Sequence, residues 1–126
     1  VEDLMHVDDS VPTVLAGTPL KDALYVISSK KLGITGVVDE QGDLLGVFTD
    51  GDLRRKIEQG IEVLNLPICE LMGGKPKRIL RTNLAAKALQ LMEEHKITSL
   101  FVFESDEEQK PVGIIHLHDL LKAGVI

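Results

Sequence analysis

The sequence predicts an α+β protein made of two copies of one small unit, strand-helix-strand-strand-helix (βαββα), related by pseudo-twofold symmetry. Two internal matches carry that reading. Gly46-Val47-Phe48-Thr49-Asp50-Gly51-Asp52-Leu53 is nearly repeated by Gly113-Ile114-Ile115-His116-Leu117-His118-Asp119-Leu120, at an offset of 113 − 46 = 67. Thr18-Pro19-Leu20 and Thr82-Asn83-Leu84 each open a helical pattern, at an offset of 82 − 18 = 64. Internal repetition constrains a fold more than any single motif does. A unit of about 60 residues buries too little surface to be comfortable alone, so two such units are expected to pair closely and leave a cleft between them.

The first unit is expected over residues 1–62. Val11-Pro12-Thr13-Val14 reads as a short strand, which proline confines to an edge or a strand start. Thr18 suits an N-cap and Pro19 a first helical position, and Leu20, Ala23, Leu24 and Ile27 follow at helical spacing. A β-branched run over 34–38, a turn at Glu40-Gln41-Gly42-Asp43 and a second strand over 44–48 read as a hairpin. Residues 53–59 read as a helix that Gly60 stops.

The second unit is expected over 68–126, with 61–67 as the connection and Gly73-Gly74 with Pro76 as a flexible turn just inside it. Lys77-Arg78-Ile79-Leu80 reads as its first strand. Thr82 then caps a helix whose apolar face carries Leu84, Ala88, Leu91 and Met92, a core stripe and not a cofactor box. A strand over 100–103, a longer charged loop over 104–110, a returning strand over 112–115 and a helix over 119–123 complete it.

Composition narrows the function classes. The 126 residues are 44% hydrophobic with a net charge of −6, which suits a soluble core and argues against binding nucleic acid through a basic face. No run of about 18 apolar residues is present, so no membrane span is expected. The single cysteine, Cys69, excludes a disulfide framework, points to a reducing compartment such as the cytoplasm, and reads as a small buried hydrophobe. The start at Val1-Glu2-Asp3-Leu4 has neither initiator methionine nor signal-peptide pattern, and the chain reads as a piece of a longer protein.

The chemistry sits where each unit's last strand meets its last helix. A helix N-terminus presents backbone N–H groups and a positive dipole end, which favour an anion such as phosphate. Thr49 adds a hydroxyl, and Asp52, one turn on, can accept hydrogen bonds from a vicinal diol such as ribose. Thr49-x-x-Asp52 fits a capping box equally well. Arg54 and Arg55, placed in the first turns of the helix, oppose its dipole unless an anion compensates. Pairing with Asp50, Asp52 or Glu58 is the alternative. Lys122 is the counterpart of Arg55 (55 + 67 = 122).

His116 and His118, at i and i+2, could share an ion with Asp119, but no further ligand at suitable spacing supports a metal, and His6 and His95 stand isolated. Lining a nucleotide cleft or closing the strand fits these histidines better. Asp50-Gly51-Asp52 lacks the alternate ligands of a calcium loop. No nucleophile elbow, Ser-His-Asp order or paired apolar carboxylates appear, so no catalytic residue and no cofactor is expected.

These residues resemble those of CBS domains, and the pair resembles a Bateman module. The signature of glycine, two apolar residues, Thr or Ser, two variable residues and Asp is met by Gly46-Val47-Phe48-Thr49-Asp50-Gly51-Asp52. The second copy departs, with His116 in place of the hydroxyl residue and Asp119 kept. Phe48-Thr49-Asp50-Gly51-Asp52-Leu53-Arg54-Arg55, His116-Leu117-His118-Asp119-Leu120-Leu121 and the ending Lys122-Ala123-Gly124-Val125-Ile126 are similar to the C-terminal region of arabinose 5-phosphate isomerases.

That resemblance implies a regulatory module behind a sugar isomerase (SIS) domain, absent here, in the pathway to the lipopolysaccharide sugar Kdo. It implies a nucleotide or nucleotide-sugar ligand, CMP-Kdo or an adenosine nucleotide, held by some of Thr49, Asp50, Asp52, Arg54, Arg55, His116, His118, Asp119 and Lys122. It also implies a homodimer through helical surface around Leu53, Ile57, Leu120 and Leu121. The alternatives are a structural oligomerisation module with no small ligand and an adenosine-nucleotide-sensing CBS pair of another enzyme.

Overall fold

A computed structural model describes residues 1–30, 32–74 and 76–125; the expected match at Ile126 lies outside them. The order of elements is β1 (Thr13–Leu15), α1 (Leu20–Lys30), β2 (Ile34–Val38), β3 (Leu44–Thr49), α2 (Asp50–Ile57), β4 (Arg78–Leu80), α3 (Ala85–His95), β5 (Ser99–Phe103), β6 (Pro111–His116) and α4 (Leu117–Lys122). The βαββα order appears twice. Each copy builds its own three-stranded sheet, β1-β2-β3 and β4-β5-β6. In each sheet the first two strands are parallel and the last two form an antiparallel hairpin. The central strands β2 and β5 are buried at every residue, which is why they read as continuous apolar or β-branched runs instead of alternating ones.

The helices pack on the sheets as their spacing requires. Leu20, Ala23 and Ile27 of α1 are buried with Val14, Val37 and Phe48, and Ala88 and Met92 of α3 with Ile79, Leu100 and Ile115. The α1 start falls one residue after the expected position, since the Asp22 and Ala23 amides both close on the Pro19 carbonyl. The expected Thr82 cap is not formed. Asn83 closes a tight turn on Leu80 through both its amide and its side-chain oxygen, and Leu84, extended and 76% exposed, directly precedes α3. Leu84 is therefore off the buried stripe.

Helices α2 and α4 begin at Asp50 and Leu117, earlier than the expected 53 and 119. Side-chain caps set both starts, and apolar periodicity does not register a cap. The surface expected around Leu53, Ile57, Leu120 and Leu121 is divided: Leu120 is fully buried and Leu53 packs on its own core, leaving Ile57 and Leu121 exposed. The loop after β5 is charged and exposed as expected. Arg78 pins it by donating to the Ser105 carbonyl at 3.0 Å while stacking 3.7 Å over Phe103.

The compact units are residues 12–76 and, for the other, 77–126 together with 1–11. Residues 61–67 are thus no mere connection, and residues 68–76, expected in the second unit, belong with the first. Val63, Ile68 and Leu71 are core of the first unit, and Met72 packs against them. Leu4 and Met5 pack in the same way in the second unit. Cys69, expected to be buried, is exposed, because Ile68 and Leu71 take the inward positions of that turn.

Gly46 and Gly113 make this packing possible. A Cβ on Gly46 would lie 2.7 Å from Met72 Sδ and 3.0 Å from the Gly73 carbonyl; one on Gly113 would lie 2.7 Å from Met5 Sδ and 2.8 Å from the His6 carbonyl. Gly113→Ala is therefore expected to cost about 1–3 kcal/mol in urea unfolding. Gly17→Ala, where a Cβ meets nothing within 4 Å, should change stability by about 0.5 kcal/mol or less. Equal stability of the two variants would contradict the close approach.

Candidate functional site

In the first unit, β3 runs straight into α2 at Thr49. The Thr49 hydroxyl accepts the Asp52 amide at 3.1 Å, and Asp52 Oδ2 accepts the Thr49 amide at 3.0 Å. The capping box is formed. Asp50 is exposed, and its amide donates to the Gly33 carbonyl. Three of the N–H groups at this helix start, those of Thr49, Asp50 and Asp52, are therefore already satisfied within the unit. Asp52 Oδ1 accepts from Arg55 Nη2 at 2.5 Å, an i,i+3 pair whose arginine is 67% exposed. Such a pair contributes little to stability.

The arginines do not stand where the sequence places them. Arg54, Arg55 and Lys56 form the last turn of an eight-residue helix, where cations complement the dipole. An opposed dipole is thus no argument for an anion beside Arg54 or Arg55. What remains is local chemistry. Asp52 presents a half-buried carboxylate with spare lone pairs on both oxygens, flanked by a hydroxyl and a guanidinium. That set can hold a diol and a phosphate.

The second unit builds the same junction from different groups. His116 ends β6 and caps α4, with Nδ1 accepting the His118 amide at 3.0 Å. Asp119 Oδ2 accepts the His116 amide at 2.8 Å. The imidazole thus replaces the hydroxyl as acceptor, and the loss of Thr at this position does not uncap the helix. A cap on Nδ1 requires that nitrogen to be unprotonated. Consistently, burial first, then the neighbouring His118 and His6, hold the His116 pKa below its usual value, with Asp119 opposing. The His116 and His118 rings lie 4.5 Å apart, tilted by 56°. Lys122 is exposed in the last turn of α4.

His6, expected to be isolated, sits in this junction. Its Nε2 lies 3.0 and 3.1 Å from the two oxygens of Asp119. The overlooked signal is a second stretch of the 67-residue repeat: Leu4-Met5-His6 aligns with Leu71-Met72-Gly73. Ser99, paired across the ladder with His116, has a buried hydroxyl with no hydrogen-bond partner among the described residues. No group of three or more metal-ligating side chains converges among the described residues. A hollow of about 460 Å³ in the first unit lies at the far end of the sheet from Thr49, between the β1–α1 loop and Val38-Asp39-Glu40. No helix among the described residues is long and apolar enough to cross a membrane.

The CBS-domain family model matches this chain twice, over residues 1–59 and 68–126. Along all 126 residues the chain is 48% identical to the arabinose 5-phosphate isomerase KdsD of Pseudomonas aeruginosa and 40% identical to KdsD of Escherichia coli, covering 38% of each. The chain thus spans well under half the length of these relatives. Among solved structures it is similar to the CBS-domain protein ATU1752 of Agrobacterium tumefaciens, with TM-score 0.86, 26% identity and 98% of both chains covered. It is also similar to CBSX2 in complex with AMP, with TM-score 0.81, 25% identity, and coverage of 98% of this chain and 94% of that one.

The His116 cap generates a pH dependence. Its folded-state pKa lies below the ordinary 6.5, so as pH falls the unfolded chain takes up the proton first. The stabilisation is complete above about 6.5 and is lost as the pH falls below it and through the folded-state value. Thermal melts at about pH 7.5 and about pH 5.5 should show a loss of stability on acidification that His116→Thr reduces. An unchanged slope in that variant would refute the histidine cap.

Proposed function

We propose, from the premise that the chain belongs to the CBS-domain family and carries the domain twice, that it is the regulatory ligand-binding module of an arabinose 5-phosphate isomerase. The observation that carries this reading is the match of the whole chain to part of that enzyme, at 40–48% identity. The reaction belongs to the remainder of the parent protein, an N-terminal sugar isomerase domain; the parent works in the cytoplasm, and this module forms a homodimer.

The ligand is a nucleotide or nucleotide sugar. Asp52 accepts the ribose hydroxyls, and Thr49 with Arg55 lies near phosphate. Arg55, itself exposed, exchanges the Asp52 carboxylate for the phosphate at small cost. CMP-Kdo, the activated end product of the pathway, fits the logic of feedback; an adenosine nucleotide is supported by the AMP held by the similar CBSX2. For control, the ligand must bind two states of the parent enzyme with different affinity.

A structural oligomerisation module is the second reading, supported by the exposed apolar side chains Ile57 and Leu121. The two separate on one variant. Asp52→Asn keeps an acceptor but loses the charge, and should weaken nucleotide binding by about 1.5–3 kcal/mol, that is about ten- to a hundredfold. The capping box is worth about 1 kcal/mol, so stability should fall less. Titration calorimetry with AMP and CMP-Kdo, paired with thermal melts, reads both. A large loss of thermal stability with unchanged affinity would favour the structural reading, as would turnover of the parent enzyme indifferent to both nucleotides.

A further inference from the structure

The two junctions differ in one partner. The offset that relates Asp52 to Asp119 also relates His6 to Gly73, since 6 + 67 = 73. Both residues follow a Leu-Met pair packed on the last strand of a unit, and both are tied to that strand by backbone hydrogen bonds. His6 exchanges two with Ile114, at 2.8 and 3.0 Å, and the Gly73 amide donates to Val47 at 3.3 Å. The fit at Gly113 fixes the His6 backbone further.

From that anchored position the His6 imidazole spans both oxygens of Asp119. A carboxylate only accepts, so Nε2 carries the hydrogen. A donor from within the chain thus occupies the place that a ligand hydroxyl would take on Asp52. Gly73 offers no side chain to Asp52, whose only ion pair is with the exposed Arg55 on its own helix among the described residues. The exposures agree: Asp119 is 15% exposed and Asp52 28%.

We propose that His6 is an internal occupant of the second junction, so that the chain takes one nucleotide-class ligand, on Asp52, and that Gly73 is the residue that keeps that carboxylate open. This rests on the reading of Asp52 as the ribose acceptor. It adds what decides which junction is available, and it assigns the unequal junctions to position 6/73 and not to the Thr49/His116 difference, since both of those caps form.

The reciprocal substitution tests it. A Cβ on Gly73 meets nothing within 4 Å, and Gly73 is not among the glycines with positive φ, so Gly73→His has room. Titration calorimetry of the 126-residue chain uses AMP and, separately, CMP as probes. The wild type should bind one equivalent. Gly73→His should bind at least about tenfold more weakly, Gly73→Gln should also weaken binding, and Gly73→Ala should bind as the wild type does.

Two equivalents in the wild type, wild-type affinity in Gly73→His, or loss of binding in Gly73→Ala would each overturn the proposal while leaving Asp52 as a ligand group. Failure of Gly73→His and Gly73→Gln to fold, read by circular dichroism, would contradict the open space on which it stands. No binding of either nucleotide to the wild type would instead remove the reading of Asp52 itself, and the proposal with it.

Discussion

A close backbone approach at two glycines organises the rest of this structure. Where Gly46 and Gly113 lie in the last strand of each unit, a Leu-Met segment packs so tightly that a methyl group would meet sulfur and carbonyl oxygen at 3.0 Å or less. Interiors are close-packed and respond to single methylenes, so this contact fixes the segment's position. The segment supplies the buried Leu71 in one unit and, in the other, Leu4 and Met5, partly buried against the core. It also places the next residue, Gly73 or His6, against the same strand that delivers the junction aspartate three residues into the helix.

Those aspartates serve stability and chemistry at once. Each accepts the amide of its helix-capping residue and so completes a capping box. A cap worth about 1 kcal/mol matters to a unit of this size without deciding whether it folds. One oxygen of Asp52 is then held by Thr49 and the other, among the described residues, only by a surface guanidinium. On Asp119 both oxygens meet an imidazole set by the backbone. The same signature aspartate is thus available to an incoming donor in one unit and already engaged in the other. A regulatory module needs an available group, and a supporting one does not.

Much of this was legible in the chain. The repeated βαββα order, the fully buried central strands and the stripes of α1 and α3 follow from apolar runs and spacing. Helix starts were less legible, because apolar periodicity begins at Leu53 while the helix begins with the polar Asp50 that a Thr49 hydroxyl makes possible. That shift moved Arg54 and Arg55 from the first turn to the last and changed the electrostatic argument built on them. Thr82 misled in the opposite sense, since Asn83 spends its side chain on the preceding turn. Cys69 lies in an apolar run but points out of a single turn, which hydropathy alone does not resolve. His6 was the larger omission. It is remote in sequence from Asp119, and only the weaker Leu-Met portion of the repeat marks it as part of that junction.

The central claim, that one signature aspartate is open to ligand and the other is engaged from within, is most directly tested by a crystal structure of the chain grown with AMP. The account predicts nucleotide density against Thr49 and Asp52, with Arg55 turned from its carboxylate partner, and His6 still bridging the oxygens of Asp119. Nucleotide on Asp119 with His6 displaced, or equal occupancy of both junctions, would contradict it.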